Sequence, residues 1–168
     1  RLRGRRVVDL ACGHGLVAYL MLLLEPRYES ALAVDTMTPQ SAATLAAALE
    51  ARWPQLAGKV QRVQGSMHDV ELRPDDVVVS VHACGQLTDR VLQMAVAAGA
   101  SVAVLPCCHA HGSTEQGGLS GWLEPGLAID VVRAERMRAA GYQVWTRTIP
   151  VEITPKNRLL FGWPAVGP

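Results

Sequence analysis

The stretch Val7-Val8-Asp9-Leu10-Ala11-Cys12-Gly13-His14-Gly15-Leu16 constrains this chain more than any other. Val7, Val8 and Leu10 favour a buried strand, with Asp9 set among them. Gly13 and Gly15 permit a tight turn and close approach of a ligand, because glycine tolerates positive φ and carries no Cβ. Leu16 to Leu24 is apolar over a helical length, so the N–H groups of its first turn point back into that turn. Strand, glycine turn and helix in this order are the setting in which such glycines bind a nucleotide.

Two cofactor chemistries use that setting. Gly13-His14-Gly15-Leu16-Val17-Ala18 fits the dinucleotide pattern G-x-G-x-x-G/A, and Asp35 follows where a ribose-binding acid belongs. Asp9 discriminates between them. A pyrophosphate is repelled by a carboxylate there, whereas a cationic amino group is attracted to it. The stretch VVDLACGHG resembles motif I of the class I S-adenosylmethionine-dependent methyltransferases, whose usual form is closer to VLDLGCGTG. The resemblance implies that Asp9, Cys12, Gly13, His14 and Gly15 hold the methionine end of S-adenosylmethionine. Ala11 stands for the usual first glycine and His14 for the usual small hydroxyl residue, which narrows the pocket. An ordinary strand-to-helix turn is the plain structural alternative.

At 168 residues the chain is long enough for one domain with a full core. We take residues 1–168 as that domain, with truncation before Arg1 left open because the chain starts almost on its first strand. No apolar run reaches membrane-spanning length. The net charge of +1 advertises no polyanionic partner. Arg1, Arg3, Arg5 and Arg6 form a local basic cluster, either a phosphate contact or a solvated chain end. The four cysteines lack a secreted disulfide spacing, so reduced thiols in a cytoplasmic protein are expected.

Strands and helices alternate along the chain. The second strand covers 31–34 and ends on Asp35, whose carboxylate suits ribose hydroxyls; Thr36 and Met37 follow, the latter able to cover an adenine face. Its alternative is the N-cap of the helix at 39–53. A third strand at 60–63 leads to a polar loop, where the resemblance makes Ser66 and Met67 adenine contacts. Residues 76–81 read as a strand buried on both faces, 88–98 as a helix and 101–105 as a fifth strand. The segment 112–126 reads as a surface loop. A helix is expected at 127–140 with Leu127, Ala128, Val131, Val132 and Ala134 inward and Arg133 and Arg136 outward. Two strands, 142–149 and 158–161, close the chain. This predicts an α/β fold: a doubly wound, mostly parallel seven-stranded, Rossmann-like sheet with an antiparallel terminal hairpin.

In such a sheet ligands bind outside the carboxyl ends of the strands, which gathers Asp9, Asp35, Ser66, His82, Cys84, Cys107, Cys108 and His109. The fourth strand ends in His82-Ala83-Cys84-Gly85 rather than the Asn/Asp-Pro-Pro-aromatic motif of amino-group methyltransferases. Together VHACG, LPCCH and ITPKNRLLFGW resemble a less-characterised methyltransferase-domain family, with the 2′-O-methyltransferase of the tRNA acceptor stem as a more distant relative. His82 and His109 are candidate proton acceptors, His82 also a cofactor contact, and Cys107 and Cys108 candidate covalent groups; mere packing at the strand ends is the alternative.

No metal is expected. Cys84, Cys107, Cys108, His109 and His111 are ligand types, but no C-x-x-C pair exists and adjacent strand cysteines point to opposite faces. The methyl acceptor is left among RNA, protein and small molecules. The distant relative and the Arg cluster allow RNA, but the aromatic residues are scattered with no visible stacking platform, and protein and small-molecule acceptors stay equally open. Two other functions stay open: an NAD-dependent oxidoreductase, which lacks an evident Tyr-x-x-x-Lys pair, and a non-catalytic module that serves a partner. Nothing in the sequence fixes the oligomeric state.

Overall fold

Side chains alternate along β1 (Arg6–Leu10), so that Val7 packs in one apolar cluster and Val8 and Leu10 in another. The same alternation separates Val77 and Val79 from Val78 in β4 (Asp76–Val81). Strands with two apolar faces need cover on both. The computed structural model, which describes residues 2–81, 83–109 and 112–165, provides it with a seven-stranded sheet in the order β3-β2-β1-β4-β5-β7-β6. The remaining strands are β2 (Ser30–Asp35), β3 (Val60–Gln64), β5 (Ser101–Leu105), β6 (Tyr142–Thr148) and β7 (Arg158–Pro164). β1 to β5 pair in parallel and β7 runs antiparallel to both β5 and β6, as the sequence predicts.

Helices divide between the faces. α1 (Leu16–Leu24) buries Ala18, Tyr19 and Leu22 on the Val7 side, where α2 (Ala42–Arg52) adds Ala46 and Leu49. α3 (Gln86–Ala98) and α4 (Pro125–Ala139) bring Val91, Leu92, Ala95, Ala134 and Met137 to the Val8 side. β1 and β4 are neighbours although their crossovers go to opposite sides, so the carboxyl edge opens between them.

α4 departs from the expected pattern. Its inward stripe is Ile129, Arg133 and Met137, spaced four apart, while Leu127 and Val131 are exposed. Arg133 therefore lies inside rather than outside. The helix also starts at Pro125, capped by the Glu124 carboxylate, which accepts from the N–H groups of Gly126 and Leu127.

Two of the N-terminal arginines, Arg5 and Arg6, are spent on structure, and Arg1 lies outside the described residues. Arg6 makes a bidentate pair with buried Asp76 (2.7 Å for each bond), and Arg5 pairs with Glu29. Both lie at the amino ends of the strands, away from the ligand edge, so they do not form the phosphate contact considered for that cluster.

Ala11 has φ +56°, and it is the only non-glycine with positive φ among the described residues. A Cβ in that region costs about 1–2 kcal/mol, partly offset by the smaller entropy of an unfolded alanine. Ala11→Gly is expected to raise stability by about 0.5 kcal/mol and the melting midpoint by about 1–2 °C in calorimetry. A lower midpoint would show that the turn carries no strain at this position.

Candidate active site

Asp9 lies at the centre of the sheet and is 1% exposed. Gly15 caps α1 without a side-chain bond, and Asp9 Oδ2 takes that place by accepting from Ala18 N–H at 3.3 Å. Burial pushes the Asp9 carboxyl up to about 7, opposed by the Ala18 bond and by the positive charge of Arg62. Burial likewise pushes the Cys12 thiol up to about 12.

The turn above Asp9 is gripped at Gly13. Its N–H donates to Asp35 Oδ2 at 2.8 Å, and its carbonyl accepts from Arg62 Nη2. Arg62 Nη1 also donates to Cys12 Sγ at 3.3 Å, while its Nε is buried without a partner. Sequence reading missed Arg62, because an arginine on an edge strand reads as a solvated side chain. Only the register that places it beside Ala33 turns it towards the turn.

A cleft of about 640 Å³ opens here, within the usual range for ligand sites. It is lined by Asp9, Cys12, Gly13, His14 and Asp35 from the sequence-derived set, and also by Ala11, Leu16, Val17, Leu45 and Val81. A Cβ on Gly13, whose φ is +52°, meets nothing within 4 Å, so that face of the turn is clear for a ligand. Gly15 shapes the turn but does not line the cleft. Thr36 and Met37 stand next to Asp35 and bond to its Oδ1, with the Met37 side chain exposed. Ser66 and Met67 are not brought to the cleft: Ser66 accepts from His68 N–H, and Met67 packs in the core. The chain folds into a short turn after β3, which aims Met67 inward.

Further along the same edge, Cys84, Cys107 and Cys108 come together. Cys107 and Cys108 follow the last residue of β5, so strand alternation does not separate them, and their Sγ atoms are 3.7 Å apart. Burial and the neighbouring thiols push Cys107 up to about 12, which leaves it protonated at neutral pH and a poor nucleophile. His82 and His111 lie outside the described residues.

His109 is held in a buried network that sequence reading did not foresee. Its Nε2 meets Asp130 Oδ1 at 2.9 Å. Arg133, with its side chain 1% exposed, binds Asp89 in a bidentate pair and also reaches Asp130 and the Gly85 carbonyl. Arg158 completes it through Asp130 Oδ2 at 2.7 Å. His109 shares a hollow of about 240 Å³ with Glu124, Pro155, Lys156, Asn157 and Arg158.

The doubly wound sheet, with an acid and a glycine turn at its switch point, is a Rossmann-like arrangement that places a ligand cleft at the carboxyl ends of β1 and β4. Residues 2–115 match the family described as a methyltransferase domain, and the chain belongs to that family. It is thus an enzyme that transfers methyl groups, and its class uses S-adenosylmethionine in general. Comparison with curated proteins finds no match. Among solved structures it is similar to precorrin-6y C5,15-methyltransferase from Geobacter metallireducens GS-15 (TM-score 0.60, 11% identity, 97% of this chain and 82% of that one). It is also similar to the 16S rRNA methyltransferase KamB (0.61, 18%, 99% and 90%) and to the B. subtilis m1A22 tRNA methyltransferase TrmK (0.58, 15%, 98% and 61%). At these identities the likeness is one of fold. Among the described residues no helix is long and apolar enough to cross a membrane.

Removing Arg133 strands Asp89 in a largely dry site, a loss of about 3 kcal/mol, while Asp130 keeps Arg158 and His109. Arg133→Met is therefore expected to lower the urea midpoint markedly. An unchanged midpoint would mean that Asp89 finds water instead.

Proposed function

We propose that this chain binds S-adenosylmethionine in the cleft between the carboxyl ends of β1 and β4 and passes its methyl group to RNA. The observation that carries the cofactor assignment is Asp9, a buried acid whose carboxyl is pushed up to about 7 at the floor of that cleft. Such a group gains most from a cation brought beside it. Asp9, Cys12, Gly13, His14 and Gly15 are assigned to the methionine end, Asp35 to the ribose, and Thr36, Met37, Ser66 and Met67 to the adenine side. The clear space over Gly13 supports the first of these assignments, whereas Ser66 and Met67 reach the adenine only if the turn after β3 shifts. Bound there, S-adenosylmethionine supplies an electrophilic methyl carbon, and the protein's task is mainly to position the acceptor in line with it.

The motifs His82-Ala83-Cys84-Gly85, Pro106-Cys107-Cys108-His109 and Thr154-Pro155-Lys156-Asn157 are assigned to the acceptor side. In support, Gly85 N–H donates to the Cys108 carbonyl at 2.9 Å, and His109 and Lys156 line one hollow. His109, backed by Asp130, is the proton acceptor we assign. We take residues 1–168 as one catalytic domain, and four free thiols support a cytoplasmic setting.

RNA is favoured by a feature that the sequence scatters. Pairing of β6 with β7 stacks Trp145 on Trp163, with ring centroids 6.3 Å apart, and Arg147 lies over Trp145. Trp145 is 51% exposed. Arg147 has no carboxylate partner among the described residues, and neither has Arg138, which lines a separate groove of about 610 Å³ between α4 and the β6–β7 hairpin together with Glu135. The half-exposed Trp145 with a cation over its ring suits a stacked base and its phosphate. The neighbours named for 16S rRNA and tRNA methylation point the same way.

Calorimetry tests the cofactor. Since Asp9 titrates near 7 without ligand, affinity for S-adenosylmethionine is expected to rise by about tenfold between pH 6 and pH 8 as the acid ionises. Asp9→Asn flattens that dependence. Binding of NAD with no binding of S-adenosylmethionine would overturn the assignment. For the acceptor, labelled methyl transfer from S-adenosylmethionine into total RNA is expected to fall by about tenfold in Trp145→Ala. Label entering only protein or small molecules would overturn the RNA reading.

A further inference from the structure

Packing accounts for Cys107, which is buried, but not for Cys84 and Cys108, which are exposed. Cys84 Sγ lies 3.4 Å from Cys107 Sγ, Cys107 Sγ lies 3.7 Å from Cys108 Sγ, and all three sulfurs fall within 4.8 Å of one another. A tetrahedral zinc ion with Zn–S bonds of about 2.3 Å holds its sulfurs about 3.8 Å apart. Two of the separations fall just below that value and the third is no longer than 4.8 Å, so the three sulfurs are already grouped on the scale of a shared ion.

We propose that Cys84, Cys107 and Cys108 form a three-thiolate site for a zinc ion. The proposal is independent of the S-adenosylmethionine assignment. Thiolates select zinc over magnesium or calcium, which take oxygen ligands. Binding displaces the three thiol protons to solvent, and three thiolates around Zn²⁺ carry a net charge of −1. Among the described residues no other side chain joins the cluster as a ligand, and His82 and His111 lie outside them.

The ligands are held before any ion arrives. Gly85 N–H donates to the Cys108 carbonyl at 2.9 Å, which joins the loop after β4 to the loop after β5. Gly85 has φ +59° and ψ −125°, a region closed to residues with a Cβ. Its carbonyl accepts from Arg133 Nη2 at 3.0 Å, and Thr88 Oγ1 donates to the Ala83 carbonyl. Cys84 and Cys108 thus stand on backbone fixed from both sides, with an exposed approach for the ion. These contacts explain why two thiols far apart in sequence meet a third at one point.

The test is anaerobic titration of the reduced, metal-free chain with Co²⁺, followed by Zn²⁺. One equivalent of Co²⁺ is expected to produce thiolate-to-cobalt charge-transfer bands and the visible bands of a tetrahedral site, both erased by Zn²⁺. Cys84→Ser and Cys108→Ser, at exposed positions, should each weaken binding by at least about tenfold with unchanged circular dichroism, while Cys12→Ser should bind as the parent does. Absence of the charge-transfer bands overturns the proposal. So does equal weakening by Cys12→Ser, and so does a reduced chain that binds no cobalt but forms a Cys84–Cys107 disulfide in air.

Discussion

A carboxylate in the central strand of a doubly covered sheet is costly unless its surroundings are arranged around it. Asp9 has one backbone donor, the Ala18 N–H at the start of α1, and the more distant charge of Arg62. Those two requirements fix much of the neighbourhood. α1 must begin directly above β1, which forces the chain through left-handed conformations at Ala11, Gly13 and Gly15. Arg62 must reach across from β3, and in doing so it grips the Gly13 carbonyl while Asp35 grips the Gly13 N–H. The glycine turn is thereby fixed by a cation on one side and an anion on the other. Its acid floor keeps a proton that a cationic ligand can displace.

The fold was legible wherever periodicity was strong. Residues 16–24, 76–81 and 101–105 form the expected elements with the expected limits, because unbroken apolar runs admit few alternatives. The antiparallel close of the sheet also follows the expectation. α4 was misread because hydrophobicity alone assigns its faces. Arg133 occupies a core position between Ile129 and Met137, and only its partners Asp89 and Asp130, one of them on another helix, make that burial tolerable. Asp130 is local, but no local pattern reveals Asp89, 44 residues away.

The site divides along the same line. Asp9, Gly13 and Asp35 could be found because a glycine turn ties a backbone geometry to residue types at fixed spacing. Arg62, the thiol cluster and the stacked tryptophans could not, because each depends on register. Cys107 and Cys108 leave strand alternation two residues after β5 ends, a boundary that sequence reading locates only roughly. Trp145 and Trp163 are eighteen positions apart, and they meet only because β6 pairs with β7 in one register.

Charge pairing then separates structural from available cations. Arg5, Arg6, Arg27, Arg133, Arg136 and Arg158 all face carboxylates, so they contribute little field outside the protein. A net charge of +1 therefore says little about where positive potential lies. Of the cations left over, Arg147 lies over exposed Trp145, Arg138 lines the groove between α4 and the β6–β7 hairpin, and Lys156 lines the hollow that holds His109. A weakly charged chain can thus still present a locally basic face where its cations lack a carboxylate partner.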